Sequence, residues 1–212
     1  MSRKIIWFLV LGFMFQSSMF ALDLQEKKAL IHSIRWLAAF NIKYGRSQSL
    51  PGSTKKYRWD CSGTAQFLYK KSINKAIPRT SYDQYLSLKT AGKIKSPPLE
   101  KGRVDVVKLK TILKSGDLLF WTNTHDAIPT FRKPPIGHVM IYLGTKKNGI
   151  MLMGGSNTWG KGYLNKRSGG GPDIYEFNPN TRMGCAKREN PKNRRSKCLP
   201  GYESKFIGFG QP

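Results

Sequence analysis

A chain of 212 residues is long enough for one domain of ordinary size with a full core, and short for two. Lysine and arginine number 37 against 12 acids, a formal charge of +25, so the partner should be anionic: nucleic acid, anionic lipid, or the acidic glycans and peptides of a cell wall. No internal repeat is visible.

The first element is an export signal. Residues 1–21 hold Arg3 and Lys4, then the apolar run IIWFLVLGFMF, then Ala21 as a cleavage point. An uncleaved anchor is the alternative: the run is short for a span of about 20 residues, yet Met19 is bulky for a cleavage site. No cysteine follows to take a lipid, and no later apolar run approaches membrane length. The remainder, 22–212, reads as a single secreted or periplasmic domain, and export makes nucleic acid the least suitable of the anionic partners.

A helix is expected over 24–43, where Leu30, Ile34 and Leu37 share one face and His32 is a surface or packing residue. Next comes RWDCSGTAQFLYKK, whose apolar spacing predicts a helix over 61–71 with Cys61 at its N-terminus. The orphan N–H groups and helix dipole there should lower the thiol pKa from about 8.5 toward neutrality. The plainer alternative is that Cys61 is a small buried hydrophobe. A third helix is expected over 81–89 and a strand over 117–121. His125 falls in TNTHDAIPTFRKPP, an irregular segment rich in turn formers. His138 opens GHVMIYLG, which alternates as a strand over 138–143 and would hold the imidazole rigidly. Further strands are expected over 150–153, 173–177 and 205–209, with SNTWGKGYLNKRSGGGPD as a long connection. Helices grouped before strands indicate α+β.

Cys185 and Cys198 flank the basic stretch AKRENPKNRRSK. In an oxidising compartment two near cysteines closing a short loop form a disulfide, which leaves Cys61 free. No CxxC pair or acidic ligand spacing suggests a metal, so a cofactor-independent chemistry is expected.

Four motifs now stand in order across 60–144: DCSG, IPRTSYDQ, LKSGDLLFW and GHVMIYLG. Together they resemble the NlpC family of cysteine peptidases, and KYGR before the cysteine and FIGFG at the end extend the likeness. The resemblance implies a papain-like α+β domain in which the nucleophile starts a helix packed on an antiparallel sheet and a sheet strand supplies the histidine. It implies cleavage of peptide bonds in peptidoglycan stem peptides, commonly between D-glutamate and a diamino acid. Cys61 would be the nucleophile, with its own N–H facing the oxyanion, and His138 the general base and then acid. Asp60, Ser62, Arg79 and Ser81 would hold the polar stem, although Asp60 and Ser81 would equally serve as helix N-caps.

One position departs from the family pattern. Where a polar residue should orient the histidine, IMLMGGSN offers Met153 or Gly154, leaving Asn157, Ser156, a backbone carbonyl or water for the role. Two other classes stay open: a non-catalytic cationic protein that binds the wall or a membrane, and a Cys-His acyltransferase or thioesterase.

Overall fold

The computed structural model describes residues 22–40, 42–46, 58–158, 162–164, 170–190, 192–193 and 196–212. The expected export signal, 1–21, lies outside the described residues. Helix α1 (Leu24–Ala39) starts from a capping box: Glu26 N–H donates to Asp23 Oδ1 at 2.7 Å and Asp23 N–H to Glu26 Oε2 at 2.9 Å. It ends before the expected 43, because Lys43–Tyr44 forms a short strand, β1, paired in parallel with β2 (Arg58–Trp59). Helix α2 (Cys61–Ile73) follows directly, then α3 (Ser81–Thr90). Thr80, and not Ser81, caps α3, its hydroxyl accepting from Asp83 N–H at 3.1 Å. Ser81 lies one residue inside the cap and is buried.

The hairpin of β3 (Leu99–Glu100) and β4 (Arg103–Val104) leads into α4 (Val106–Ile112), which the sequence reading did not anticipate. It is short and half lysine-flanked, so its periodicity is faint, but Asp105 caps it by accepting from Val107 and Lys108 N–H, each at 3.0 Å. The main strands are β5 (Leu118–Thr122), β6 (Ile136–Thr145), β7 (Met151–Asn157), β8 (Gly171–Glu176) and β9 (Lys205–Gly210). They form one antiparallel sheet in the order β8-β7-β6-β5-β9. The fold is therefore α+β, with the helices preceding the sheet they pack on.

Both faces of that sheet are covered. Ile34 of α1, Leu68 and Tyr69 of α2 and Tyr85 and Leu88 of α3 pack with Phe120, Val139 and Ile141 on one face. On the other, Leu109 of α4 joins Leu119, Trp121, Met140, Tyr142, Phe177, Phe206 and Phe209. Two-sided burial explains why β5 reads as the continuous apolar run LLFWT instead of an alternation. Each large side chain taken fully out of water here is worth about 1.5–3 kcal/mol, so β5 and β6 are firmly anchored at the centre of the sheet. No helix among the described residues is long and apolar enough to cross a membrane.

Candidate active site

Asp60 has non-helical backbone and its Oδ1 accepts from Gly63 N–H at 2.7 Å, which fixes the start of α2 and makes Cys61 its first residue. The end of the sheet that meets this helix start is irregular. The ladder between β6 and β7 stops at Ile141 and Gly154, whereas β6 remains paired with β5 as far as Ile136 and β7 with β8 as far as Asn157. β6 and β7 part there, and α2 packs against both. Cys61 reaches this opening, where the main-chain N–H groups of Val139 and Ser62 and the Tyr44 hydroxyl act on its sulfur. Tyr44 donates to Sγ at 3.8 Å. On the β7 side, the Ser156 hydroxyl donates to the Trp59 carbonyl at 2.6 Å and ties the segment entering α2 to the sheet.

His138 stands on β6 directly before Val139. The β5–β6 pairing slips between Trp121 and Thr122, leaving Gly137 as an extra residue that re-aims the strand just ahead of the histidine. A side chain at Gly137 would meet the side chains of Thr124 and Ile128, which would have to move to admit it. The imidazole is buried beside Trp121, ring centroids 5.8 Å apart, and its Nε2 has no hydrogen-bond partner among the described residues. Asn157 is buried as well. It lies as far beyond Gly154 as His138 lies before Ile141, and strand alternation puts both on the face that carries Tyr142 and Met153.

The electrostatics correct one expectation. Burial, then the neighbouring Asp60 carboxylate, push the Cys61 thiol up, and the N–H groups and Tyr44 only partly offset them. The helix terminus does not win because its third N–H is already taken by Asp60, whose negative charge sits next to the sulfur. Burial pulls His138 down to about 3, His125 adding to the fall and Asp60 opposing it. The resting pair is a neutral thiol and a neutral imidazole.

Beside the thiol, Asp60 is already engaged. Arg79 Nη2 donates to Asp60 Oδ2 at 2.7 Å and Nη1 to Ser62 Oγ at 2.9 Å, while Ser62 Oγ lies 3.4 Å from Asp60 Oδ1. Gln84 braces this network from below, its amide donating to the carbonyls of Ser62 and Pro78. Of the residues singled out from the sequence, Cys61, Asp60, Ser62 and Arg79 form one cluster. Ser81 is a buried first-turn residue of α3, and His32 is exposed on α1. Tyr44 and His125 were not picked out. The first sat in the quoted KYGR and only the β1–β2 pairing brings it to the sulfur; the second lies in an irregular loop that folds back toward His138.

Cys185 and Cys198 are bonded, Cα atoms 5.8 Å apart, and Cys61 is the free cysteine. Among the described residues no group of three or more histidine, cysteine or acidic side chains could hold a metal. A family model described as NlpC/P60 family matches residues 45–158, which begins directly after β1, ends just past β7 and includes Asp60, Cys61, Ser62, Arg79, His138 and Asn157, while Tyr44 lies just before it. No curated protein matches the sequence. The chain belongs to the NlpC/P60 family, whose members are cysteine peptidases and amidases of peptidoglycan peptides.

Proposed function

We infer that the protein is an exported, single-domain cysteine hydrolase that cuts peptidoglycan stem peptides, at the bond between D-glutamate and a diamino acid, through an acyl-enzyme on Cys61. The observation that carries this reading is the meeting of Cys61 at the start of α2 with the residues next to His138, at the place where β6 and β7 part. The Cys185–Cys198 bond supports export, since such bridges persist in oxidising compartments.

Because the resting pair is neutral, attack and proton transfer are coupled. Sγ bonds to the scissile carbonyl carbon as the thiol proton passes to the bare Nε2 of His138. The Cys61 N–H, at the first position of α2 where the helix itself supplies no acceptor, faces the oxygen that gains charge. The imidazolium then gives its proton to the leaving amine. Water, deprotonated by the same Nε2, attacks the thioester, releases the acid and restores the thiol. Asn157 holds the imidazolium from the neighbouring strand. Asp60, Ser62 and Arg79 present charge and hydroxyl to the polar stem at the edge of the cleft.

The raised thiol pKa is the observation that favours a second reading, a wall-binding protein that has lost turnover. Incubation with purified peptidoglycan separates the two. New amine termini and soluble peptides, absent with Cys61→Ala, support the hydrolase. Co-sedimentation without products supports the binder.

A further inference from the structure

β9 begins where the catalytic end of the sheet begins. Lys205 pairs with Thr122, Phe206 with Trp121, and Trp121 with His138, so the segment feeding β9 emerges on the His138 side. That segment is folded on itself. Cys185 pairs with Glu203 and Arg188 with Cys198 as antiparallel bridges, Met183 N–H donates to Ser204 Oγ at 2.6 Å, and the disulfide closes the loop. Gly184 lies so close to the Thr124 carbonyl that any side chain there would collide, which seats the loop against the turn leading into His125.

The charge of this loop is concentrated and unanswered. Lys187, Lys192 and Lys197 are exposed and Arg188 is half-buried. None of them forms an ion pair among the described residues, where the nearest pair is Arg182 with Glu203 at 4.0 Å. The cations are nonetheless positioned. Lys187 Nζ lies 4.5 Å from the centre of the Tyr202 ring and donates to its hydroxyl at 3.2 Å, and Arg188 Nη1 donates to the Ser196 carbonyl at 2.9 Å. Holding like charges together in a closed loop costs self-repulsion, and the return is a focused positive potential. A lipid surface is a poor match: the large exposed apolar side chain of the loop is Tyr202, and Lys187 covers it.

We propose that the disulfide-closed loop, through Lys187, Arg188, Lys192 and Lys197, is an exosite for the carboxylates of stem peptides neighbouring the one in the cleft. This rests on the peptidoglycan reading above and adds a retention device to it. Insoluble wall presents many carboxylates within reach of one bound enzyme, while a single soluble stem presents none beyond the cleft.

The test uses the full chain in the Cys61→Ala form, so that the wall is not consumed, with Lys187→Gln, Lys192→Gln and Lys197→Gln combined as the variant and circular dichroism to confirm its fold. Sedimentation is measured with native peptidoglycan, with peptidoglycan whose carboxylates have been amidated, and with phosphatidylglycerol vesicles. Three exposed charges predict roughly tenfold weaker binding of the variant to native wall. The unmodified loop should weaken on amidated wall and on raising salt, and the variant should respond less steeply to both, because fewer charges remain to be screened. With Cys61 restored, the variant should cut a soluble stem peptide as fast as the parent and lag only on insoluble wall. Equal sedimentation of parent and variant, indifference to amidation, or capture by vesicles but not by wall would each overturn the exosite. If the parent binds in this charge-dependent way yet the protein with Cys61 restored releases no amine termini, the hydrolase reading fails and the exosite stands.

Discussion

The start of α2 and the loop between Cys185 and Cys198 lie at the same end of the sheet and are built on opposite principles. Around Cys61 and His138 the protein removes water, keeps both groups neutral, and fixes them with main-chain donors, a bulge and packed aromatic rings. In the loop it exposes cations that form no ion pair among the described residues and fixes them with a covalent bridge and backbone pairs. Desolvation makes a short-range proton transfer strong and specific. Solvated charge acts over about 10 Å at 0.1 M salt and chooses only a class of partner. The proposed chemistry and the proposed capture thus rest on different physical devices within a short stretch of surface, and each can be tested alone.

The largest effects should come from the buried half. Cys61→Ala removes the nucleophile and little volume, so wall hydrolysis should vanish while the melting curve barely moves. His138→Ala should cost at least about 10²–10⁴ in kcat, the usual contribution of general acid–base catalysis. Replacing Asn157 by alanine should lower kcat with little change in KM, and Asn157→Gln, which keeps the amide, should retain part of it. His125→Ala should be far milder, and complete inactivation by that change alone would mean that the roles of the two histidines are exchanged.

The covalent half is tested by stability. Replacing Cys185 and Cys198 by serine should cost about 3 kcal/mol in the chain-entropy model, read as a lower denaturation midpoint, with turnover of soluble peptide kept at low temperature. Loss of turnover at a temperature where the variant is still folded would show that the loop shapes the cleft itself.

A smaller effect probes the electrostatics directly. Asp60 is the charged group that raises the Cys61 pKa, so Asp60→Asn should shift the pH profile of Cys61 alkylation to lower pH. An unchanged profile would leave burial as the sole cause. Stability against pH carries two opposed contributions. Below about 6.5 the unfolded chain protonates the His138 imidazole and the folded chain does not until about 3, so this group lowers stability as pH falls through that window. Asp117 acts the other way: burial raises it to about 6, the folded state holds a proton that the unfolded state has lost, and stability falls as pH rises from about 4 to 6. Asp117→Asn should therefore raise the melting temperature by a few degrees at pH 8 and hardly at all at pH 4.

What could be read from the sequence was what is local. An aspartate before a cysteine and an apolar repeat announce a capped helix, and GHVMIYLG announces a strand, because both patterns act within a few residues. The pairing of Cys185 with Cys198 was legible for the same reason. The direction of the thiol shift was not: a helix terminus was visible, while the burial and the Asp60 charge that outweigh it depend on what packs around the sulfur. Tyr44 reaches Cys61 only through a two-residue parallel pairing, and His125 reaches His138 through a loop without periodicity. Among the candidates in IMLMGGSN, the structure engages the Ser156 hydroxyl with the Trp59 carbonyl and buries Asn157, and neither fact could be read from the sequence. Helix α4 was missed because its seven residues carry one buried side chain, Leu109, and no repeat to detect.

The central claim is that Cys61 itself becomes acylated. The most direct measurement is the mass of acid-quenched protein taken during turnover of purified stem peptides, followed by peptide mapping. An adduct of the acyl fragment confined to the peptide containing Cys61, and absent from Cys61→Ala, is the expected result. Released amine termini with no adduct on Cys61, or undiminished turnover by Cys61→Ala, would contradict it.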